Sequence, residues 1–278
     1  MIRLENIQFG YSKGKRLFDD VTLTMEPGHI YGLLGKNGAG KTTLLKIMSG
    51  LLFPNAGTAT IMSENASLRK ADALQNLYFL QEEMYVPHLK IGQFEAAFAP
   101  FYPNFSHDQF EYYLTEFEIA GAPNYLDKLS HGQKKKVLIS FALATNTQIL
   151  IMDEPTNGLD IPSKSVFRKL MASAADDARL VLVSTHQVRD LHSLIDMVAI
   201  LDNGHMLLNA STYEITQKLL FDVDNAKSAE GKVFYTEETP RGNYQVKENV
   251  NNLDSSLDLE LLFNAAIMNK NEISNLFK

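Results

Sequence analysis

The octapeptide Gly35-Lys-Asn-Gly-Ala-Gly-Lys-Thr42 carries the clearest structural signal in this chain. Its glycines allow successive backbone N–H groups to turn toward one concavity, where they can bind phosphate oxygens. The positive end of a following helix would point at the same place. In this pattern Lys41 can reach the terminal phosphates of a nucleotide, and the Thr42 hydroxyl can ligate Mg²⁺. The octapeptide therefore predicts a phosphate-binding loop between a buried strand and a helix.

The residues around this loop have the pattern of an α/β protein. Residues 29–34 are typical of a buried strand, and residues 41–49 of a helix that ends at Gly50. Residues 149–152 and 180–184 are further short apolar runs, separated by helical stretches, which indicates a parallel sheet covered on both faces. The Asp202-Asn-Gly204 sequence between two apolar runs predicts a hairpin.

The composition changes twice along the chain. Residues 98–105 contain two prolines, which exclude a regular helix. Aromatic and leucine residues then recur at helical spacing: Phe110, Tyr113, Leu114 and Phe117. In the last part, residues 233–236 and 244–246 are predicted strands, and residues 257–268 a helix capped by Ser255 or Ser256. The predicted parts are a nucleotide-binding core (1–85 and 140–215), a helical subdomain that carries the segment 129–133 (86–139) and a small α+β appendage (216–278).

Charge and cysteine content limit the classes of function. With 26 basic and 33 acidic residues the formal net charge is −7, which argues against a general nucleic-acid binder because phosphate neutralisation needs a basic surface. The chain has no cysteine, which excludes a disulfide scaffold, a thiolate metal site and a catalytic thiol. The most apolar stretch is too short and too polar to span a bilayer, so we expect any membrane role to depend on a partner.

Two acids, Asp153 and Glu154, follow the apolar run 149–152. One carboxylate at such an edge can hold the water shell of Mg²⁺, and a second can accept a proton from an attacking water molecule. Strands also end in acids that serve only as turn residues. The position of these two acids behind a phosphate-binding loop favours the catalytic interpretation.

The segment Leu129-Ser-His-Gly-Gln133 precedes a predicted helix over residues 133–144. Its serine and small-residue turn predict a second anion site at a helix N-terminus, although a plain helix cap has the same pattern. Three other polar or aromatic residues follow or precede predicted strands: His186, Gln81 and Tyr11. Each of them, taken alone, is typical of a surface or packing residue.

Taken in order, these motifs resemble those of the nucleotide-binding subunits of ATP-binding cassette (ABC) transporters, over about residues 1–210. Tyr11 matches the aromatic residue that stacks on adenine, Gln81 the glutamine loop, and residues 129–133 the signature Leu-Ser-Gly-Gly-Gln. Asp153 and Glu154 match the magnesium-site aspartate and the catalytic glutamate, residues 157–160 the loop with an aspartate, and His186 the switch histidine. His131 departs from the signature, and a side chain there could crowd the γ-phosphate.

The resemblance implies an ATPase with a P-loop NTPase (RecA-like) core, an antiparallel β-subdomain and an inserted helical subdomain. Two copies, or this chain and a related subunit, would face head to tail and enclose ATP and Mg²⁺. Catalysis would fall to Glu154, which polarises water, His186, which positions the γ-phosphate, and Lys41. The implied metal-site residues are Thr42, Gln81 and Asp153. The implied ATP-binding residues are Tyr11, Gly35, Asn37, Gly38, Ala39, Gly40, Lys41, Thr42, Thr43, Gln81, Ser130, Gly132, Gln133 and Asp160.

The resemblance further implies a partner, a separate transmembrane permease, which would hold this subunit at the cytoplasmic face of the cell membrane. Nucleic acid is not an expected partner. Four aromatic residues of the insertion could form a groove for a cytoplasmic helix of the permease, or simply the insertion's own core: Phe98, Phe101, Tyr102 and Phe105. The tail at residues 257–263 is similar to the ends of exporter-type subunits and favours export.

Two other functions compete with that of a transport subunit. The first is a soluble ABC-type ATPase that acts on a non-membrane partner such as a ribosome, DNA or a cofactor-assembly system. Each motif occurs once, and the stretch between Thr42 and Leu129 is short and without heptads, which disfavours the ribosomal and chromosomal members. The second is a phosphate-loop kinase, which has no reason to contain the motifs at 129–133 and 157–160. The sequence does not identify the cargo.

Overall fold

The computed structural model describes residues 1–12, 14–119, 125–224, 230–240 and 242–277. Within these ranges the strands are β1 (Ile2–Phe9), β2 (Phe18–Met25), β3 (Ile30–Leu34), β4 (Ala56–Ile61), β5 (Glu64–Asn65), β6 (Leu77–Leu80), β7 (Ile149–Asp153), β8 (Leu180–Thr185), β9 (Met197–Asp202), β10 (His205–Ser211), β11 (Leu219–Asp224), β12 (Val233–Thr239) and β13 (Gly242–Glu248). The helices are α1 (Lys41–Met48), α2 (Ala71–Leu74), α3 (Ile91–Phe98), α4 (His107–Glu116), α5 (His131–Ala144), α6 (Ile161–Ser173), α7 (Thr212–Lys218), α8 (Leu259–Met268) and α9 (Lys270–Leu276). Each described helix is too short or too polar to cross a bilayer. Parts of the predicted helical subdomain (120–124) and of the appendage (225–229 and 241) lie outside the described residues.

A six-stranded sheet in the order β10-β9-β3-β8-β7-β6 forms the centre of the fold. All neighbouring pairs are parallel except β9 and β10, which form the predicted hairpin. Every residue of β7 and β8 is buried, as expected for parallel strands covered on both faces. The predicted P-loop NTPase core is therefore confirmed, and the carboxyl ends of β3, β7 and β8 meet at one edge.

An antiparallel sheet in the order β2-β1-β4-β5 covers one side of this centre. Helix α1 lies between the two sheets, and Leu44 and Leu45 share one buried cluster with Leu4 of β1 and Leu182 of β8. Burial of a leucine side chain contributes roughly 1.5–3 kcal/mol. This packing fixes the helix that directly follows the phosphate-binding loop.

Helices α3, α4 and α5 pack around Phe141, which is buried in α5. Five aromatic ring centres lie 5.0–6.1 Å from the Phe141 ring centre: Tyr78, Phe94, Tyr102, Phe105 and Phe110. The predicted aromatic cluster is thus divided, because Phe98 and Phe101 keep 38% and 66% of their surface exposed. Helix α5 (His131–Ala144) crosses residue 140, the predicted boundary between the helical subdomain and the nucleotide-binding core. The division of the chain into these domains stays a prediction.

The last part of the chain forms a sheet in the order β11-β13-β12, on which α8 packs. The predicted strands and helix are present, but the predicted cap is wrong. Asp258 caps α8 and accepts from the backbone N–H groups of Glu260 and Leu261 at 2.8 and 3.0 Å. Ser255 instead accepts a hydrogen bond from the backbone N–H of Phe221 in β11.

Candidate active site

The loop between β3 and α1 requires glycine at two positions. Gly38 and Gly40 have φ angles of +80° and +104°, a backbone conformation that other residues rarely adopt. A Cβ atom on Gly40 would also lie 2.7 Å from the Phe18 ring. Among the described residues, no side chain caps the start of α1. Its first N–H groups and its positive end are therefore available to an anion in the loop.

A cavity of about 800 Å³ opens beside this loop, within the size range of sites for small molecules. Its wall comes from the segment after β1, the phosphate-binding loop, and the carboxyl ends of β6, β7 and β8. The predicted site residues on this wall are Tyr11, Asn37, Gly38, Gly40, Lys41, Thr42, Thr43, Asp153, Glu154 and His186.

Lys41 is almost completely buried in this wall. Its Nζ donates to the carbonyl oxygen of Gly35 at 2.8 Å and lies 3.9 Å from Oε1 of Glu154. Burial lowers the pKa of Lys41, while the charges of Glu154, Asp153 and Glu82 act to raise it. A cation that is desolvated but close to the loop amides is well suited to bind an anionic ligand.

Asp153 joins the ends of β7 and β8 to the first turn of α1. Its Oδ2 accepts a hydrogen bond from the Thr42 hydroxyl at 2.6 Å, and its Oδ1 accepts one from the Ser184 hydroxyl. Hydroxyl and carboxylate oxygens suit Mg²⁺, which in phosphate-transfer sites takes few carboxylates and completes its shell with phosphates and water. No group of three or more histidine, aspartate or glutamate side chains suited to a metal occurs in the described part of the chain. Thr42 and Asp153 therefore fit a Mg²⁺ ion that arrives with a nucleotide.

Glu154 follows Asp153 and points toward the end of β8. Its Oε1 lies 2.7 Å from Nδ1 of His186, and its Oε2 accepts a hydrogen bond from the Thr185 hydroxyl at 3.3 Å. Only 7% of the Glu154 side chain is exposed. The carboxylate is thus oriented by two neighbours and faces the same cavity as Lys41.

Tyr11 also lines the cavity and is 69% exposed. Its hydroxyl is 2.9 Å from the Thr43 hydroxyl in α1, and its ring packs edge-on against Phe9 at 5.0 Å. The ring is therefore held against the protein while most of its surface stays accessible for stacking.

Three predicted residues outside the segments 129–133 and 157–160 do not line this cavity. Gln81 lines a separate cavity with Tyr78 and Met84, next to the helical layer formed by α3, α4 and α5. Gly35 borders a cavity on the side of α8, and the Ala39 backbone N–H donates to the Lys36 carbonyl within the loop. The neighbour of Gln81, Glu82, takes a place on the nucleotide-side wall instead.

The predicted signature segment lies at the beginning of α5, away from the cavity. Ser130 and Gln133 form a reciprocal capping box, in which each side chain accepts from the other's backbone N–H at 3.3 and 3.0 Å, and both residues are exposed. Gly132 is adjacent to Gly158: a Cβ atom on Gly132 would lie 3.3 Å from the Gly158 carbonyl oxygen. Asp160 caps α6 by accepting a hydrogen bond from the backbone N–H of Ser163, and hydrogen bonds from the Ser163 hydroxyl and backbone lower the pKa of Asp160. Both segments therefore present polar groups on a free surface.

Sequence reasoning missed two residues that shape the site. Glu82 lines the cavity and accepts a hydrogen bond from Asn157 at 2.9 Å. Ser184 binds both the Asp153 carboxylate and the backbone N–H of Glu154. The position of Ser184 at the end of an apolar strand, beside the strand that carries the acids, was the available signal.

Comparison with known proteins agrees with this geometry. The sequence profile of the ABC transporter family matches residues 18–157. A Listeria monocytogenes protein named as an ABC transporter ATP-binding protein is 31% identical over 225 residues, which cover 77% of this chain and 84% of that protein. The chain belongs to the ABC transporter family. It is an ATP-binding and ATP-hydrolysing subunit that powers transport.

Further relatives include proteins of both transport directions. A methionine import ATP-binding protein of Oceanobacillus iheyensis is 30% identical and covers 77% of this chain and 68% of that protein. A bacterial Atm1-family ABC exporter with ATP bound has a TM-score of 0.68 at 21% identity, over 77% of this chain and 39% of that chain. A dimeric ATP-binding cassette in a post-hydrolysis state, bound to ADP and Pi, has a TM-score of 0.66 at 24% identity, over 76% of this chain and 98% of that chain. The two structures share the fold of this ABC subunit, and export stays a prediction.

Proposed function

We propose that this ABC subunit binds Mg²⁺ and ATP between two protomers arranged head to tail and drives a separate transmembrane permease. One observation carries the proposal. Ser130 and Gln133 are exposed at the beginning of α5 and lie outside the cavity that holds Lys41 and Glu154. A site that uses both the start of α5 and this cavity needs two chains, and a cassette of the same fold, bound to ADP and Pi, is dimeric.

Within one protomer, the loop amides and Lys41 bind the phosphates, and the exposed face of Tyr11 stacks on adenine. Thr42 and Asp153 hold Mg²⁺, which would neutralise charge on the phosphate oxygens. Gln81 was predicted beside the metal as well, but it lines a different cavity. We therefore assign the metal to Thr42 and Asp153 alone.

Glu154 is the group placed to accept a proton from the attacking water. The water oxygen forms a bond to the γ-phosphorus as the bond to the bridging oxygen of ADP breaks, and the released proton passes to the Glu154 carboxylate. His186, 2.7 Å from that carboxylate, orients it and can donate to a γ-phosphate oxygen. Ser130, Gly132, Gln133 and Asp160 of the second protomer complete the enclosure.

The test uses the Glu154→Gln variant with ATP and Mg²⁺ in low salt, measured by light scattering after size exclusion. We expect the mass to double from the 31.2 kDa monomer, because ATP bridges the protomers and is not consumed. A Ser130→Arg change in the same background is the control and should prevent the doubling. A Glu154→Gln protein that stays monomeric at saturating ATP and Mg²⁺, also with its permease present, would contradict the proposal.

The permease is proposed to dock on the helical layer, which would place the subunit at the cytoplasmic face of the membrane. A cavity of about 450 Å³ there is lined by Tyr85 and Phe98, and Phe101 nearby is 66% exposed. These aromatic side chains fit an amphipathic helix that inserts one apolar face. Phe101→Asp should abolish recovery of the protein with native membranes. The matched control is Leu68→Asp, an exposed apolar residue outside the helical layer, which should leave recovery unchanged.

A further inference from the structure

Lys135 is a buried cation to which the mechanism above gives no role. It lies in α5 with none of its surface exposed. Its Nζ donates to the carbonyl oxygen of Glu154 at 2.6 Å and to that of Asn157 at 3.1 Å. Placing an ammonium group in the protein interior is costly unless it has such partners. The buried charge of Lys135 thus binds the backbone of the segment that carries the catalytic carboxylate.

The backbone of Glu154 is unusual at this point. Its φ angle is +47°, in the left-handed region that non-glycine residues occupy only at a cost in energy. Its N–H donates to the Ser184 carbonyl at 3.1 Å, and its carbonyl accepts from Lys135. Glu154 is therefore held from β8 on one side and from α5 on the other, and these two bonds fix the backbone from which its side chain projects.

The beginning of α5 meets the same segment a second time. Nδ1 of His131 lies 3.0 Å from the position of a Cβ atom on Gly158, and a Cβ atom on Gly132 would lie 3.3 Å from the Gly158 carbonyl oxygen. Contacts at both His131 and Lys135, one helical turn apart, join α5 to residues 154–158. A displacement of the start of α5 would consequently displace the backbone of Glu154.

We propose that Lys135 is a positioning residue that fixes the Glu154 carboxylate relative to the start of α5. This inference rests on the proposed function, in which Ser130 contacts the nucleotide bound to the other protomer. Docking of Ser130 on that nucleotide would then set the geometry of Glu154 in its own site through Lys135. The Glu154 carboxylate of one protomer would thereby reach its hydrolytic position only when the other protomer also holds ATP.

The test measures ATP affinity, kcat and KM of the full-length protein with Lys135→Met. The side chain keeps most of its volume but loses the hydrogen bonds, so kcat should fall about tenfold to 100-fold, the effect of misplacing a reacting group. KM and ATP affinity should stay near wild-type values, because Lys135 does not line the ATP cavity. Lys135→Gln, which keeps an N–H donor, should lower kcat less than Lys135→Met.

The matched control is Arg179→Met. Arg179 is another buried cation, at the opposite end of β8, and its Nε and Nη2 have no hydrogen-bond partner among the described residues. If the role of Lys135 is purely structural, Lys135→Met and Arg179→Met should both change the stability, and the two variants should have the same kcat per folded molecule. Equal kcat in the two variants, or wild-type kcat in Lys135→Ala if Lys135→Met does not fold, would overturn the proposal.

The link to Ser130 is tested by a double-mutant cycle on kcat. If Lys135 transmits the contact made by Ser130, Ser130→Ala and Lys135→Met together should cost less than the product of their separate effects. Fully multiplicative effects would overturn the link.

In the Glu154→Gln background, Lys135→Met should still allow ATP-dependent dimers. Failure of Glu154→Gln itself to dimerise counts against the proposed function, whereas normal kcat in Lys135→Met counts against Lys135 alone.

Discussion

Nδ1 of His186 lies 2.7 Å from Oε1 of Glu154, a direct contact between the segments that follow β8 and β7. The two residues are far apart in sequence, and they meet because β7 and β8 are parallel neighbours whose carboxyl ends share one edge. Lys41 completes the group from the start of α1, at 3.9 Å from the same carboxylate oxygen. The sheet thus brings an acid, an imidazole and an ammonium group to one side of the cavity.

Glu154→Gln should keep ATP binding and lower turnover by about 100-fold or more, because an amide cannot accept the proton of the attacking water. Phosphate release and binding of a fluorescent ATP analogue measure the two properties separately. Glu116→Gln is the control, since this carboxylate pairs with Lys169 at the surface and should retain full turnover. Wild-type turnover in Glu154→Gln would show that the base is another group.

Asp153→Asn should raise the Mg²⁺ concentration needed for half-maximal turnover by about tenfold to 100-fold, the usual effect of weakening a metal site. The amide keeps a hydrogen bond to Thr42 or Ser184 but carries no charge to attract the cation. ATP binding in the absence of metal should be unchanged. Asp20→Asn, at the exposed end of the antiparallel sheet, serves as the control. An unaltered Mg²⁺ dependence would remove Asp153 from the metal site.

The centre of the fold was predictable because its signals are local and strong. The octapeptide at 35–42 requires a strand before it and a helix after it, and the apolar runs at β7 and β8 leave no polar face. The cap of α8 was not predictable in the same way. Three nearby residues have side chains suited to cap a helix: Ser255, Ser256 and Asp258. Ser255 accepts a hydrogen bond from β11 instead, and Asp258 accepts from the first turn of α8.

Site residues that belong to a sequence motif were predictable. Where two adjacent residues could both face the cavity, only the structure shows which of them does. Gln81 and Glu82 follow β6 directly, and the direction of the chain beyond the strand turns Glu82 toward the cavity. Lys135 stands in a run of three lysines, a pattern typical of a solvated helix face. Only the packing of α5 against residues 154–158 shows that the middle lysine points inward.

Lys41→Met should raise the free energy of unfolding of the nucleotide-free protein by about 1 kcal/mol at pH 7, because the lowered pKa of Lys41 means that the cost of desolvating its charge exceeds its attraction to Glu154 and Asp153. Burial lowers the pKa of Lys41, so the cost of its charge is present below that lowered pKa. The cost disappears as pH rises through the lowered pKa toward the ordinary value. The advantage of Lys41→Met should therefore shrink between pH 7 and pH 10 in denaturant titrations.

The same variant separates stability from binding. ATP should raise the melting temperature of the wild-type protein and leave that of Lys41→Met unchanged, because the variant lacks the buried cation that meets the phosphates. Lys169→Met is the control for loss of a lysine, since its surface pair with Glu116 contributes little. A lower stability of Lys41→Met at pH 7 would contradict the reasoning from burial.

Phe141→Ala should lower the free energy of unfolding by about 3–5 kcal/mol, because it leaves a cavity at the point where five aromatic rings converge. Phe101→Ala, which removes an equal side chain from an exposed position, should change it by less than about 0.5 kcal/mol. Urea titration of both variants measures the difference. Equal losses would mean that Phe101 belongs to the core of the helical layer, and the permease-docking surface would then lose its central residue.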